Sequence, residues 1–298
     1  MKLCLGTVQF GLDYGIQGAS RPSPEDALAM LDYAVKNGVD AIDTAAAYGT
    51  AEEVVGCFLS GGYVSRDSVR IVTKFGMDIF DGADAAEYPQ RLRSAAEKSL
   101  RRLRTDYLDA FICHIPTAAG NDAVMSAMDT LKKSGVARHV GFSVYETEEA
   151  LACLGTGVVD FVQAPFSVFD QRMKSSGFLD GAVAEGMDVH TRSAFVQGLM
   201  LMDAGSIPPH LAATRPYVAE LESLCRENGV TRRALALAYV KSNPGISHLV
   251  FGVDSMEQLK EIVGDFAGEM PSGLVEEIGA RFASVPAEIF MPNKWRKQ

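Results

Sequence analysis

The chain of 298 residues has only five cysteines: Cys4, Cys57, Cys113, Cys153 and Cys225. They are scattered, odd in number and form no Cys-x-x-Cys pair. That excludes a disulfide framework and points to a reducing cytoplasm. The five histidines make no metal-spaced cluster, so no metal is expected. No apolar run approaches the roughly 18 residues that a membrane span needs. Met1 to Phe10 is too short and too polar for a signal peptide, being interrupted by Gly6 and Gln9. Cations are outnumbered, 28 Lys and Arg against 38 Asp and Glu, for a net charge of -10. This argues against nucleic acid or an acidic membrane as the main partner, while leaving room for a local basic pocket. There is no Walker P-loop and no Gly-x-Ser-x-Gly elbow. Gly155-Thr156-Gly157-Val158-Val159-Asp160 echoes a dinucleotide turn, but it precedes a strand and lacks the third glycine. Nothing in the sequence speaks to oligomeric state.

What is present is a large apolar fraction, 47% hydrophobic against 22% charged residues, enough for a sizeable core. It is laid out as short β-rich runs alternating with amphipathic helical stretches. Strand candidates are Leu3 to Val8, Ala41 to Thr44, Val69 to Phe75, Tyr107 to His114, Arg138 to Val144, Asp160 to Phe166, Met187 to Ala194 and Ser247 to Val253. Helices are expected from Pro22 to Lys36, Ala51 to Leu59, Glu87 to Leu103, Asp122 to Lys133, from Thr147, within Lys174 to Glu185, near Tyr217 to Glu227 and Arg232 to Ser242, and from Met256. Gly11, Gly15 and Gly18 make a loop, and the tail from Pro271 to Trp295 adds a helix. Eight strands, each followed by helix, are what a (β/α)8 TIM barrel requires. No composition shift splits the chain, so a single domain over residues 1–298 is expected.

Polar residues cluster at the carboxyl ends of these strands, where barrels carry their chemistry. Asp43 closes strand two, and Tyr48 follows in a loop of small residues. Thr50 is the expected N-cap of the next helix, with Glu52 and Glu53 suiting its dipole. Lys74 ends strand three, His114 strand four and Ser143 strand five. Gln163 lies in strand six, and Arg192 and Ser193 end strand seven. A lysine inside Ile71-Val72-Thr73-Lys74-Phe75 is costly to bury unpaired, and Asp43 is its natural partner. A cationic lysine near a tyrosine stabilises the phenolate and lowers its pKa from about 10. Such a phenol can protonate a developing alkoxide, with the histidine orienting the carbonyl. No side chain supplies a hydride, so a cofactor must.

Taken together, the chain resembles the aldo-keto reductase family along nearly its whole length. The residues carrying the resemblance are Gly6-Thr7-Val8-Gln9-Phe10-Gly11, Asp43-Thr44-Ala45 with Tyr48-Gly49 and Glu52-Glu53, Thr73-Lys74-Phe75-Gly76, Asp106-Tyr107-Leu108-Asp109 with His114, Gly141-Phe142-Ser143, and Gln163. The resemblance implies a barrel binding NADP(H) or NAD(H) in extended form and acting on a small-molecule carbonyl substrate. It places the catalytic tetrad on Asp43, Tyr48, Lys74 and His114, with Tyr48 as general acid. Ser143 and Gln163 fall on the nicotinamide carboxamide. Ser193, Phe195, Gln197 and Gly198 fall along the pyrophosphate. Gly252, Ser255, Gln258 and Glu261 fall at the adenosine end. Three positions depart from the family pattern. Val144 replaces the usual asparagine. Arg192 stands where an aromatic residue stacks on the nicotinamide, and would either stack through its planar face or bind an anionic substrate group. Asp254 stands where NADP-preferring members carry a cation, with Lys260 the nearest compensating charge. Two rival readings are a regulatory barrel that senses nicotinamide cofactor without significant turnover, and a Schiff-base lyase using Lys74.

Overall fold

The computed structural model describes residues 1–13, 21–114 and 120–295. Gly15 and Gly18 of the expected first loop lie outside them. Eight strands form a closed parallel barrel in sequential order. They are β1 Lys2–Gly6, β2 Ala41–Asp43, β3 Arg70–Phe75, β4 Leu108–Cys113, β5 Ala137–Ser143, β6 Phe161–Pro165, β7 Asp188–Arg192 and β8 His248–Phe251. The ring closes where β8 pairs with β1, Leu3 opposite Leu249.

Around it run α1 Val8–Gly11, α2 Pro24–Lys36, α3 Ala51–Ser60, α4 Tyr88–Leu103, α5 Asp122–Lys133, α6 Thr147–Leu151, α7 Arg172–Ser175 and α8 Phe178–Glu185. These are followed by α9 Arg215–Asn228, α10 Arg232–Lys241, α11 Met256–Ala267, α12 Leu274–Arg281 and α13 Ala287–Phe290. Local chemistry sets the ends. Ser23 accepts a hydrogen bond from the Asp26 amide, with Pro24 in the first turn of α2. Asn121 caps α5 by accepting from the amides of Ala123 and Val124. Gly135, at φ 76°, follows that helix's last turn.

Several boundaries differ from expectation. The strand run expected to Val8 stops at Gly6, and Val8 to Gly11 form a helical turn instead. The helix expected within Lys174 to Glu185 is α8, as expected, and the additional short α7 precedes it, parted from it by Gly177 at φ 82°. Thr50 flanks α3 but makes no capping bond with its side chain. The turn before it takes over that work, since the Ala51 amide donates to the Tyr48 carbonyl at 3.0 Å. Glu52 lies in the first turn of α3, as expected, and is buried there. Its carboxylate accepts from Thr73 Oγ1 at 2.6 Å and from Arg102 Nε at 2.5 Å, tying α3 to β3 and α4.

Side chains alternate along a strand, so residues two apart share a face. Ala41 and Asp43, Val72 and Lys74, Ala110 and Ile112, Gly141 and Ser143, Phe161 and Gln163, and His190 and Arg192 are such pairs. Val72, Ala110, Ile112 and Phe161 form an apolar cluster of their own, separate from the larger core between strands and helices. Gly141 leaves room for its neighbour, because a Cβ there would fall 1.6 Å from the Phe161 carbonyl oxygen. Polar residues of the same parity therefore rise above this cluster on adjacent strands.

Candidate functional site

Lys74 is fully buried, and its ammonium is held on three sides. Nζ donates to Asp43 Oδ1 at 2.6 Å, Asp43 Oδ2 at 2.7 Å and the Thr44 carbonyl at 2.9 Å. Asp43, itself 3% exposed, also accepts from Gln163 Nε2 at 2.7 Å. The Asp43 backbone carbonyl accepts from the Thr7 amide and hydroxyl at 2.9 and 3.0 Å. Burial alone would push Lys74 down, but the charge of Asp43, the nearby Tyr48 and the hydrogen bonds to Asp43 lift it above its ordinary value. The amine is thus a cation, which opposes Schiff-base chemistry.

Tyr48 packs over this cation, with Nζ 5.1 Å from its ring centroid. Its ring meets His114 edge-on, at 5.6 Å between centroids and 78° between planes. Burial and the charge of Lys74 lower His114 to about 4. His114 is therefore neutral near pH 7, able to give a hydrogen bond to a carbonyl but not to act as a cationic acid. The Tyr48 loop is locked from below by Gly11, where a Cβ would stand 1.7 Å from the Tyr48 carbonyl oxygen.

A cavity of about 550 Å³ opens beside this group, within the usual range for ligand sites. One end holds Asp43, Tyr48, Gln163 and Arg192, and the other holds Arg233, Gly252, Asp254, Gln258 and Glu261. Ser193, Phe195, Gln197 and Gly198 line it between them. In this loop Ser193, Val196 and Gln197 have φ of 66°, 51° and 55°, followed by Gly198 at 89°. A β-branched residue there is strained, and such strain concentrates where a ligand is gripped.

Two expected cofactor residues lie outside the cavity wall. Ser143 is buried in register with Gln163 at the end of β5, and Ser255 caps α11 by accepting from the Gln258 amide. Gln258 turns its Oε1 back onto the Asp254 amide at 2.9 Å. Arg192 donates from Nη2 to the Val144 carbonyl at 2.8 Å and lies 4.3 Å from the Tyr145 ring centroid. An aromatic ring thus packs on the Arg192 guanidinium, supplied by the segment after β5 rather than by β7.

A family model described as Aldo/keto reductase family matches residues 2–280. The chain belongs to the aldo-keto reductase family. Among its relatives, the aldo-keto reductase YhdN of Bacillus subtilis is 31% identical over 286 residues, covering 87% of this chain and 82% of that one. Among solved structures, the holo form of aldo-keto reductase AKR11C1 from Bacillus halodurans superposes with a TM-score of 0.75 at 21% identity, covering 98% of this chain and 95% of that one. An aldo/keto reductase from Klebsiella pneumoniae, solved with NADP and acetate, gives 0.71 at 22% identity, covering 94% and 91%. These structural likenesses establish the barrel, and the family model makes this chain a member of an oxidoreductase family.

The aldo-keto reductase scaffold here also gathers residues that spacing did not mark. Thr7 and Gln9 lie in the motif at Gly6 but carry their role only through contact with Asp43 and the cavity. Arg233 reads in the sequence as an ordinary cation opening a helix. Folding brings it to the cavity wall, bonded to Glu261 and Asp265. At the opposite end of the barrel, Asp188, His190 and His248 bring ligand-type atoms within 4.8 Å of one another. Asp188 is engaged there by Arg70 and Ser247, and His248 by Asp40. No helix among the described residues is long and apolar enough to cross a membrane.

Proposed function

We propose that this chain reduces an aldehyde or ketone to an alcohol, with NADH or NADPH as cofactor and Tyr48 as general acid. The observation that carries the reading is the buried Lys74 ammonium, bonded by Asp43 and Thr44 and packed against the Tyr48 ring beside an open cavity. The cavity suits an extended dinucleotide. It runs from this group past a strained loop to a second polar end, and Gln9 Oε1 on its wall is a buried acceptor with no partner.

Gln163 and Arg192 would hold the nicotinamide end, Ser193 to Gly198 the pyrophosphate, and Gly252, Gln258 and Glu261 the adenosine, with Ser143 and Ser255 set behind the wall. When bound, the cofactor supplies a hydride to the carbonyl carbon. The chain's own residues handle the proton. The Tyr48 hydroxyl gives it to the oxygen as negative charge develops there. Lys74 stabilises the phenolate left behind, and Asp43 fixes Lys74. Neutral His114 donates to the same oxygen and sets its approach. The cationic Arg192 suits substrates that bear a carboxylate, phosphate or sugar-like hydroxyls.

The test is a screen of aldehydes, ketones and sugars that follows the absorbance of reduced nicotinamide. Turnover of one carbonyl class supports the reading. Tight cofactor binding with no turnover across the panel favours a regulatory barrel. Borohydride trapping of a substrate on Lys74 would overturn both.

A further inference from the structure

We propose that the groove selects the cofactor lacking a 2′-phosphate, NAD(H) over NADP(H), and that Asp254 and Glu261 make the discrimination. This rests on the reading of the cavity as a nicotinamide-cofactor site. If the reacting end lies at Tyr48, the adenosine ribose lies at the other end, against Gly252, Asp254, Gln258, Glu261 and Arg233.

The charges at that end do not welcome a phosphate. Asp254 and Glu261 each bring a carboxylate to the wall. Arg233 is the cation of the wall at this end, and two acids already hold it. Nη1 donates to Glu261 at 2.6 Å and Nε donates to Asp265 at 2.6 Å. Counting Asp254, this end of the groove carries three carboxylates to one guanidinium. Lys260 does not offset them, because its Nζ sits 5.7 Å from the Tyr33 ring centroid and it does not line the groove. A phosphate monoester with a charge of roughly -1.5 to -2 would enter this field against repulsion.

A ribose with a free 2′-hydroxyl meets the opposite situation, since it brings donors to a wall rich in acceptors. Gln258 holds the Asp254 turn in place through its bond to the Asp254 amide. Gln9 Oε1, buried and without a partner, adds a neutral acceptor beside Gly252, whose Cβ would lie 2.5 Å from it. The same logic operates in dinucleotide-binding sheets, where an acid on the 2′-hydroxyl goes with NAD and an arginine with NADP.

The experiment is calorimetric titration of the full-length protein with NADH and NADPH separately, for the wild type, Asp254→Asn and the double variant Asp254→Asn with Glu261→Gln. Circular dichroism confirms that each variant is folded. The expected wild-type result is an NADPH Kd at least tenfold weaker than that of NADH. The ratio should shrink at least threefold in Asp254→Asn, and further in the double variant, where Arg233 loses a partner and becomes available to phosphate. NADPH binding as tightly as NADH, or a ratio unmoved by both variants, overturns the proposal and leaves the cofactor site standing. Binding of neither cofactor overturns the cofactor site and this proposal with it.

Discussion

Replacing Lys74 with methionine removes a cation but leaves its carboxylate partner behind. Asp43 is 3% exposed, and its remaining side-chain donor is Gln163 Nε2 at 2.7 Å. Removing one member of a buried ion pair costs about 3–5 kcal/mol, because the other charge stays desolvated and uncompensated. Asp43→Asn makes the converse fault, leaving the Lys74 ammonium with the Thr44 carbonyl and a neutral amide. The double variant Asp43→Asn with Lys74→Met restores neutrality and keeps a hydrogen bond to Gln163 within reach. Each single variant should lose about 3–5 kcal/mol. The double should fall short of their sum by about 2 kcal/mol or more, a coupling typical of groups in contact. The assay is urea unfolding followed by circular dichroism, with equal slopes required before midpoints are compared. All three variants should also lose turnover, since each removes the charge that stabilises the phenolate or the group that holds it. Single-variant losses under about 1 kcal/mol, or losses that simply add, would refute the reasoning.

Arg102→Ala leaves the carboxylate of Glu52, 1% exposed, with Thr73 as its remaining partner, and should cost about 3 kcal/mol in urea unfolding. Gly11→Ala drives a methyl into the Tyr48 carbonyl. It should cost about 1–3 kcal/mol and reduce kcat at least tenfold by shifting the Tyr48 loop. His114 takes up its proton at about 4 in the folded chain, against the ordinary 6.5 when unfolded. The unfolded state therefore binds more protons in that window. The stability from neutral His114 is whole above about 6.5 and is lost as pH falls towards 4, worth ~3 kcal/mol in all. Urea midpoints of wild type and His114→Gln, compared between pH 8 and pH 4, should converge on the acid side.

The barrel was legible because parallel strands buried on both faces read as short apolar runs between helical stretches. The polar residues at their ends stood out against those runs. Alternation then placed Lys74 two residues beyond Val72, and Gln163 two beyond Phe161, on faces that meet. Strand ends were less legible. At Val8, Val253 and Ala194 the residues stay apolar while the chain has already left the ladder to build the cavity rim. Glu52 does open α3 as an acid of its first turn, but its burial and its bonds to Thr73 and Arg102 were not legible, because those partners are distant in sequence. Arg233 was invisible for the same reason, its partners lying 28 and 32 residues away. Pairing across helices leaves no periodic trace in the chain.

The most direct trial of the account is Tyr48→Phe. That change deletes one hydroxyl and keeps the ring that packs on Lys74 and His114. Cofactor Kd by titration and the single-turnover rate of carbonyl reduction should be measured on the same preparation. A Kd within twofold of wild type with a rate lower by about 10²–10⁴, the usual worth of a general acid, is the predicted result. A variant that binds cofactor and reduces the carbonyl at the wild-type rate would contradict it.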